Sequence, residues 1–147
     1  MKRQYGAYLM IVLAATILVG CSTKPQPIAY GSDGCHFCSM TIVDTQHAAQ
    51  IVTKKGKAFK FDAIECMVNY RKEINPDDIA QYVCNHYTIP EELIDATQAT
   101  FLISEGIPSP MGAYLTAFDS DSEAKSAQNE HEGKLFTWDE LLEHFNN

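Results

Sequence analysis

Polar and apolar positions alternate along much of the chain beyond residue 40, and the period switches between two and about 3.6 at clear turn signals. Residues 40–44 (Met-Thr-Ile-Val-Asp) alternate and predict a short strand. Residues 48–53 predict a second, followed by the turn Lys54-Lys55-Gly56-Lys57. Ala58-Phe59-Lys60-Phe61 predicts a third, with both rings on one face. Asp62 is placed to cap a helix over residues 63–72, whose apolar stripe is Ile64, Met67 and Val68, and Asn75-Pro76-Asp77 ends it. Residues 79–88 predict a strand with Tyr82, Cys84 and His86 on one face. A second pass follows, with Leu93-Ile94-Asp95-Ala96 leading into a strand at 100–103, a rigid Pro108-Ser109-Pro110 entry and a strand over 111–118. Residues 119–123 start a short helix that ends at Gln128, and 129–133 form a polar loop. Lys134-Leu135-Phe136 predicts a last strand, and Thr137 caps a terminal helix over 138–145. The expected fold class is α+β, one domain over residues 35–147 built from two small sheet-plus-helix halves at about 35–90 and 91–147.

The first 34 residues follow a different pattern. Lys2 and Arg3 precede an apolar run from Leu9 to Val19 that ends at Leu18-Val19-Gly20-Cys21. The run is shorter than the roughly 20 residues a spanning helix needs, so residues 1–20 are expected to be an export leader. Leu-Val-Gly-Cys also looks like a bacterial lipobox, which makes Cys21 the first mature residue, lipidated on sulfur, and holds the domain on the periplasmic face of a membrane. Ser22 points to the outer membrane, and the Pro25- and Pro27-containing segment 21–34 is expected to be a tether. An ordinary leader that leaves a free Cys21 thiol is the alternative.

Loss of Lys2 and Arg3 with the leader leaves 9 basic against 19 acidic residues, a formal charge of −10 in place of −8. That balance excludes nucleic acid as a partner, since its phosphates would be repelled. Four cysteines remain: Cys35, Cys38, Cys66 and Cys84. Outside the cytoplasm an even number invites disulfides, so a Cys35–Cys38 pair and a Cys66–Cys84 pair stay open, as do buried inert thiols at 66 and 84.

The densest chemistry lies in Gly34-Cys35-His36-Phe37-Cys38-Ser39-Met40, where two thiols, an imidazole and a thioether share seven residues. Polarizable sulfur donors favour monovalent copper over hard cations. Cys38 and Met40, at i and i+2 on the expected strand, would face one side. Met111, between Pro110 and Gly112, is either a second thioether aimed by the stiff loop or a core methionine at a strand start. His36 either caps the ion or faces water. His86 reads as a partly buried structural residue, and His47, His131 and His144 as surface residues. Zinc is disfavoured because Cys66 and Cys84 do not form a second closely spaced pair. Two rival classes remain: a CxxC thiol–disulfide oxidoreductase, which would need a helix opening at Cys35, and a structural lipoprotein whose cysteines only cross-link the fold. No nucleophile triad, phosphate loop or paired-carboxylate pattern emerges, so the chain is not expected to be an enzyme.

Several spaced motifs together resemble the NosL family of copper-binding lipoproteins: Cys35-His-Phe-Cys-Ser-Met40, Ala48-Ala49-Gln50-Ile51, Gly56-Lys57, Phe61-Asp62-Ala-Ile-Glu-Cys66-Met67, and Ser109-Pro110-Met111-Gly112 with Ala117-Phe118. The resemblance implies two related ββαβ halves similar to the organomercurial lyase fold. It implies a monomeric copper(I) chaperone that supplies the maturation machinery of nitrous-oxide reductase, by way of a membrane complex that includes an ABC transporter. Carried over by position, it implies Cys38, Met40 and Met111 as copper(I) ligands, with Cys35 and His36 as further candidates. The family pattern commonly has Gly where Ser39 stands, a change beside the ligands that removes no donor atom.

Overall fold

Five consecutive buried residues, Ala49–Thr53, form the central strand β1, and a strand buried on both faces needs cover on each side. The computed structural model describes residues 22–146 and shows where that cover comes from. The expected leader and the lipidated Cys21 lie outside the described residues. Gly56, at φ 81°, makes the turn after β1 in a conformation that favours glycine, and β2 (Ala58–Phe61) returns antiparallel with Ile51 opposite Phe59. The helix α1 (Ile64–Tyr70) buries Ile64, Glu65, Cys66, Met67 and Val68. Its cap is Ala63, which makes no side-chain capping bond, so Asp62 is not the cap the sequence suggested. A single 3₁₀ turn follows at Arg71–Glu73, and a second, Pro76–Asp78, is capped by the Asn75 side chain.

Strand β3 (Ile79–His86) pairs with the other side of β1, Cys84 opposite Ala49. Strand β4 (Ile89–Asp95) then pairs with β3, so the first sheet has the order β2-β1-β3-β4 and runs through Asp95. The second sheet contains β5 (Thr100–Ile103), β6 (Leu115–Phe118) and β7 (Lys134–Phe136) in the order β6-β5-β7. Between β6 and β7 lies α2 (Asp121–His131), capped by Ser120, and the chain closes with α3 (Trp138–Asn146). Thr137 and Glu140 cap α3 reciprocally, Thr137 N donating to Glu140 Oε2 at 2.8 Å and Glu140 N to Thr137 Oγ1 at 3.4 Å.

Both units therefore run ββαβ, and in both the first strand is central, flanked by the second strand and by the strand after the helix. They share a core in which Phe61, Ile64 and Met67 from the first unit meet Phe101, Leu115 and Leu141 from the second. A smaller cluster under α2 holds Leu102, Ile107, Phe118 and Ala124.

Besides the Asp62 cap, four sequence expectations need correction. Residues 40–44 form no strand; only Thr41 bridges, to Gly34. The strand expected over 111–118 begins at Leu115, because Gly112 and Tyr114 take left-handed backbone (φ 77° and 58°) that cannot join a ladder. α2 continues through His131, three residues into the expected loop. Finally, much of the expected tether is docked. Gln26 N donates to the Oε1 of fully buried Gln50 at 3.0 Å, Tyr30 exchanges hydrogen bonds with Asn85, and Lys60 Nζ reaches Pro27 O and Asp33 Oδ2, each at 2.6 Å. This strap supplies cover on the β1 face that carries Gln50. Among the described residues no helix is long and apolar enough to cross a membrane.

Candidate metal centre

The strap leads directly into a narrow loop. Ile42 N donates to Asp33 O at 2.8 Å, Cys35 N to Met40 O at 2.7 Å, and Ser39 N to Cys35 O at 3.0 Å. His36 N donates to Lys60 O at 2.8 Å and fixes the loop against β2. The closure requires Ser39 at φ 66°, the left-handed region where glycine is at ease, which gives a physical reason for the glycine common in the family pattern. With residue 39 so turned, Cys38 and Met40 are not same-face neighbours on a strand. Cys38 packs against the core while Met40 is 55% exposed.

Three parts of the chain meet at this loop. Cys35 and Cys38 come from it, Asp62 from the residue after β2, and Cys66 from the first turn of α1. Their three sulfurs and a carboxylate oxygen all lie within 4.8 Å of one another. Cys38 Sγ donates to Asp62 Oδ1 at 3.4 Å. Cys35, Cys66 and Asp62 are buried, and Cys38 is partly open to solvent. All four described cysteines are free, so neither the Cys35–Cys38 nor the Cys66–Cys84 disulfide is present. Cys84 is fully buried in β3 among the core residues, where burial pushes its thiol well above the ordinary range.

The three clustered thiols differ in acidity. The hydrogen bond from Cys66 holds Cys35 down at about 6 despite its burial. Donation to Cys35, and then burial, push Cys66 far up. Burial raises Cys38 to about 11. Of the three thiols, Cys35 is thus the one disposed to carry negative charge, with Cys38 and Cys66 held protonated beside it. A cation held by these residues would be met by the Cys35 thiolate, and Cys38 and Cys66 would have to give up their protons to bind it, as thiolate ligation generally requires.

The remaining candidates differ in burial and in what they touch. The His36 ring is turned onto Phe59 and Tyr70, with centroids 4.6 and 4.9 Å away, in an aromatic contact. Met111 is 42% exposed in the loop between β5 and β6. Both flanks of that loop are bound to Glu65 beside Cys66, through Ser109 Oγ at 2.6 Å and Ala113 N at 3.3 Å. Met40 and Met111 are therefore surface thioethers, in contrast to Met67, which is fully buried. His47, expected at the surface, is 3% exposed and bonded through Nδ1 to Asp44 at 2.9 Å. His86 is buried against Thr88 and Glu123, in keeping with a structural role. Sequence reasoning missed Asp62 and Cys66 as members of the cluster. The usable signal was the stretch 61–67, which carries both residues across the strand-to-helix junction.

Comparison with known proteins agrees with this architecture. Residues 28–145 match the NosL family. The copper-binding lipoprotein NosL of Stutzerimonas stutzeri is 31% identical, in an alignment covering 90% of this chain and 78% of that protein. The fold resembles the crystal structure of the copper chaperone NosL from Shewanella denitrificans, with a TM-score of 0.68 at 20% identity over 81% of this chain and 96% of that one. With its α+β architecture and its match across nearly all the described residues, the chain belongs to the NosL family.

Proposed function

We propose that the protein is a membrane-tethered, extracytoplasmic copper(I) chaperone, binding one ion through sulfur and delivering it to the maturation machinery of nitrous-oxide reductase through a membrane complex that includes an ABC transporter. The observation that carries the reading is the convergence of three free thiols, two from the loop and one from α1, one of them acidic. Copper(I) suits such donors, and its tolerance of low coordination allows ligands to be exchanged one at a time. Cys38, the partly open thiol, anchors the ion, with Cys35 and Cys66 behind it. Met40 and Met111 are the exposed thioethers through which it enters and leaves. The ion is cargo, so the chain needs no turnover chemistry. Lipid on Cys21 supplies the tether, in line with the lipoprotein relative, and places the domain at the periplasmic face, with the outer membrane favoured by Ser22.

The rival oxidoreductase reading loses support because Cys35 opens a turn rather than a helix, leaving no helix dipole to activate an attacking thiol. Zinc gains a specific argument. Asp62 completes a set of three sulfurs and one oxygen, which a closed tetrahedral site could use, so the spacing objection to zinc does not survive folding. Anaerobic competition against bathocuproine, with native mass spectrometry, tests the proposal. Cys38→Ala is expected to abolish tight copper(I) binding, and Met111→Leu to weaken it while preserving the fold. Wild-type affinity in both variants would remove the assignment, and preferential retention of zinc at equal loading would favour the second reading.

A further inference from the structure

Glu65 is a carboxylate buried to 3% exposure, in the first turn of α1 and immediately before Cys66. Burial of such a group is costly unless hydrogen bonds replace its water. Its Oε1 accepts from Ser109 Oγ at 2.6 Å and from Ala113 N at 3.3 Å, donors two residues before and two after Met111. Its Oε2 is buried without a hydrogen-bond partner. The loop it grips is internally tight, with Gly112 N bonded to Ser109 O at 3.0 Å and with left-handed backbone at Gly112 and Tyr114. At Tyr114, which lacks glycine's freedom, such a conformation persists only where surrounding contacts hold it.

We infer that Glu65 is a positioning residue for the metal centre: it ties the Met111 loop to the helix that carries Cys66, and so sets how the Met111 thioether takes part in binding the ion. This rests on the copper reading above. One carboxylate oxygen collects both flanks of the loop, so the thioether and the thiol cluster are referenced to the same helical turn. The unpartnered Oε2 offers a second acceptor to which a loop donor can move. The loop can then shift between two bonded positions without leaving the carboxylate wholly bare. A chaperone that must hold and then release its ion is served by a ligand that can be withdrawn in this way.

A double-mutant cycle decides the matter, read as anaerobic copper(I) affinity alongside the Met111 methyl resonance of the apo protein. Glu65→Ala is expected to weaken binding about tenfold, the range typical for residues that orient a ligand. Ser109→Ala, which leaves α1 untouched and guards against a folding defect, is expected to weaken it less. Neither should weaken binding further in a Met111→Leu background, and both should shift the Met111 methyl resonance. Fully additive losses, or an unmoved methyl resonance in both variants, overturn the inference. If Met111→Leu itself binds copper as wild type does, the ligand assignment fails instead, and the methyl resonance still reports whether Glu65 positions the loop.

Discussion

The acidity of Cys35 is set mainly by one neighbour, Cys66, and that makes it open to test. Its thiol lies near 6 because Cys66 donates to it, against an ordinary value of 9.0. A depressed folded value contributes stability that is complete above 9.0 and is lost as pH falls through about 6. Thiolate ultraviolet absorbance of the reduced apo protein should therefore titrate near 6. Cys66→Ala should move that step upward and flatten the matching part of the stability profile; an unmoved step would assign the thiolate elsewhere. Ser39 offers a second test at this scale. Its left-handed backbone costs an L-residue roughly 1–2 kcal/mol, partly offset in glycine by the greater freedom of the unfolded chain. Ser39→Gly is expected to raise stability by about 1 kcal/mol or less in urea denaturation, with the loop otherwise unchanged.

Among the elements, the legible ones were those whose pattern is repaid locally. β1, β2, β5 and β7 and the terminal helix stand close to where alternation, turn residues and caps placed them. Two of the failures fall at the candidate metal centre. Residues 40–44 alternate like a strand, yet the backbone there closes a loop around two thiols. Asp62 resembles a helix cap in sequence, and its carboxylate instead accepts from Cys38. Residues 26–34 read as tether because the partners that dock them onto the sheet are remote in sequence. Those partners, Gln50, Lys60 and Asn85, lie 24 or more residues away. The strap carries its own prediction. Lys60 holds the Asp33 carboxyl below its ordinary 3.8, and Ala29 N donates to the same carboxylate at 2.7 Å. Stability from Asp33 is thus present above 3.8 and lost as pH falls through the lower folded value. The Ala29 amide resonance should titrate in that acid range, and Asp33→Asn should abolish the transition.

At the scale of the molecule, α+β architecture and two related passes were readable because each unit carries its own strand and helix periods. What periodicity could not convey is that the units share one core, with Phe61 and Phe101 in the same cluster, or that Cys66 would turn toward Cys35 rather than Cys84. Those facts depend on how α1 lies across the sheet, and no local spacing encodes a crossing angle. The docked strap has a consequence for where the molecule can work. Among the described residues its first tertiary hydrogen bond is at Gln26, so with lipid on Cys21, as proposed, five residue steps separate the anchor from the docked strap. Fully extended, they span about 17 Å. A leash that short confines the globule to a thin layer over the bilayer, so its encounters with a recipient become a search across a surface rather than through a volume.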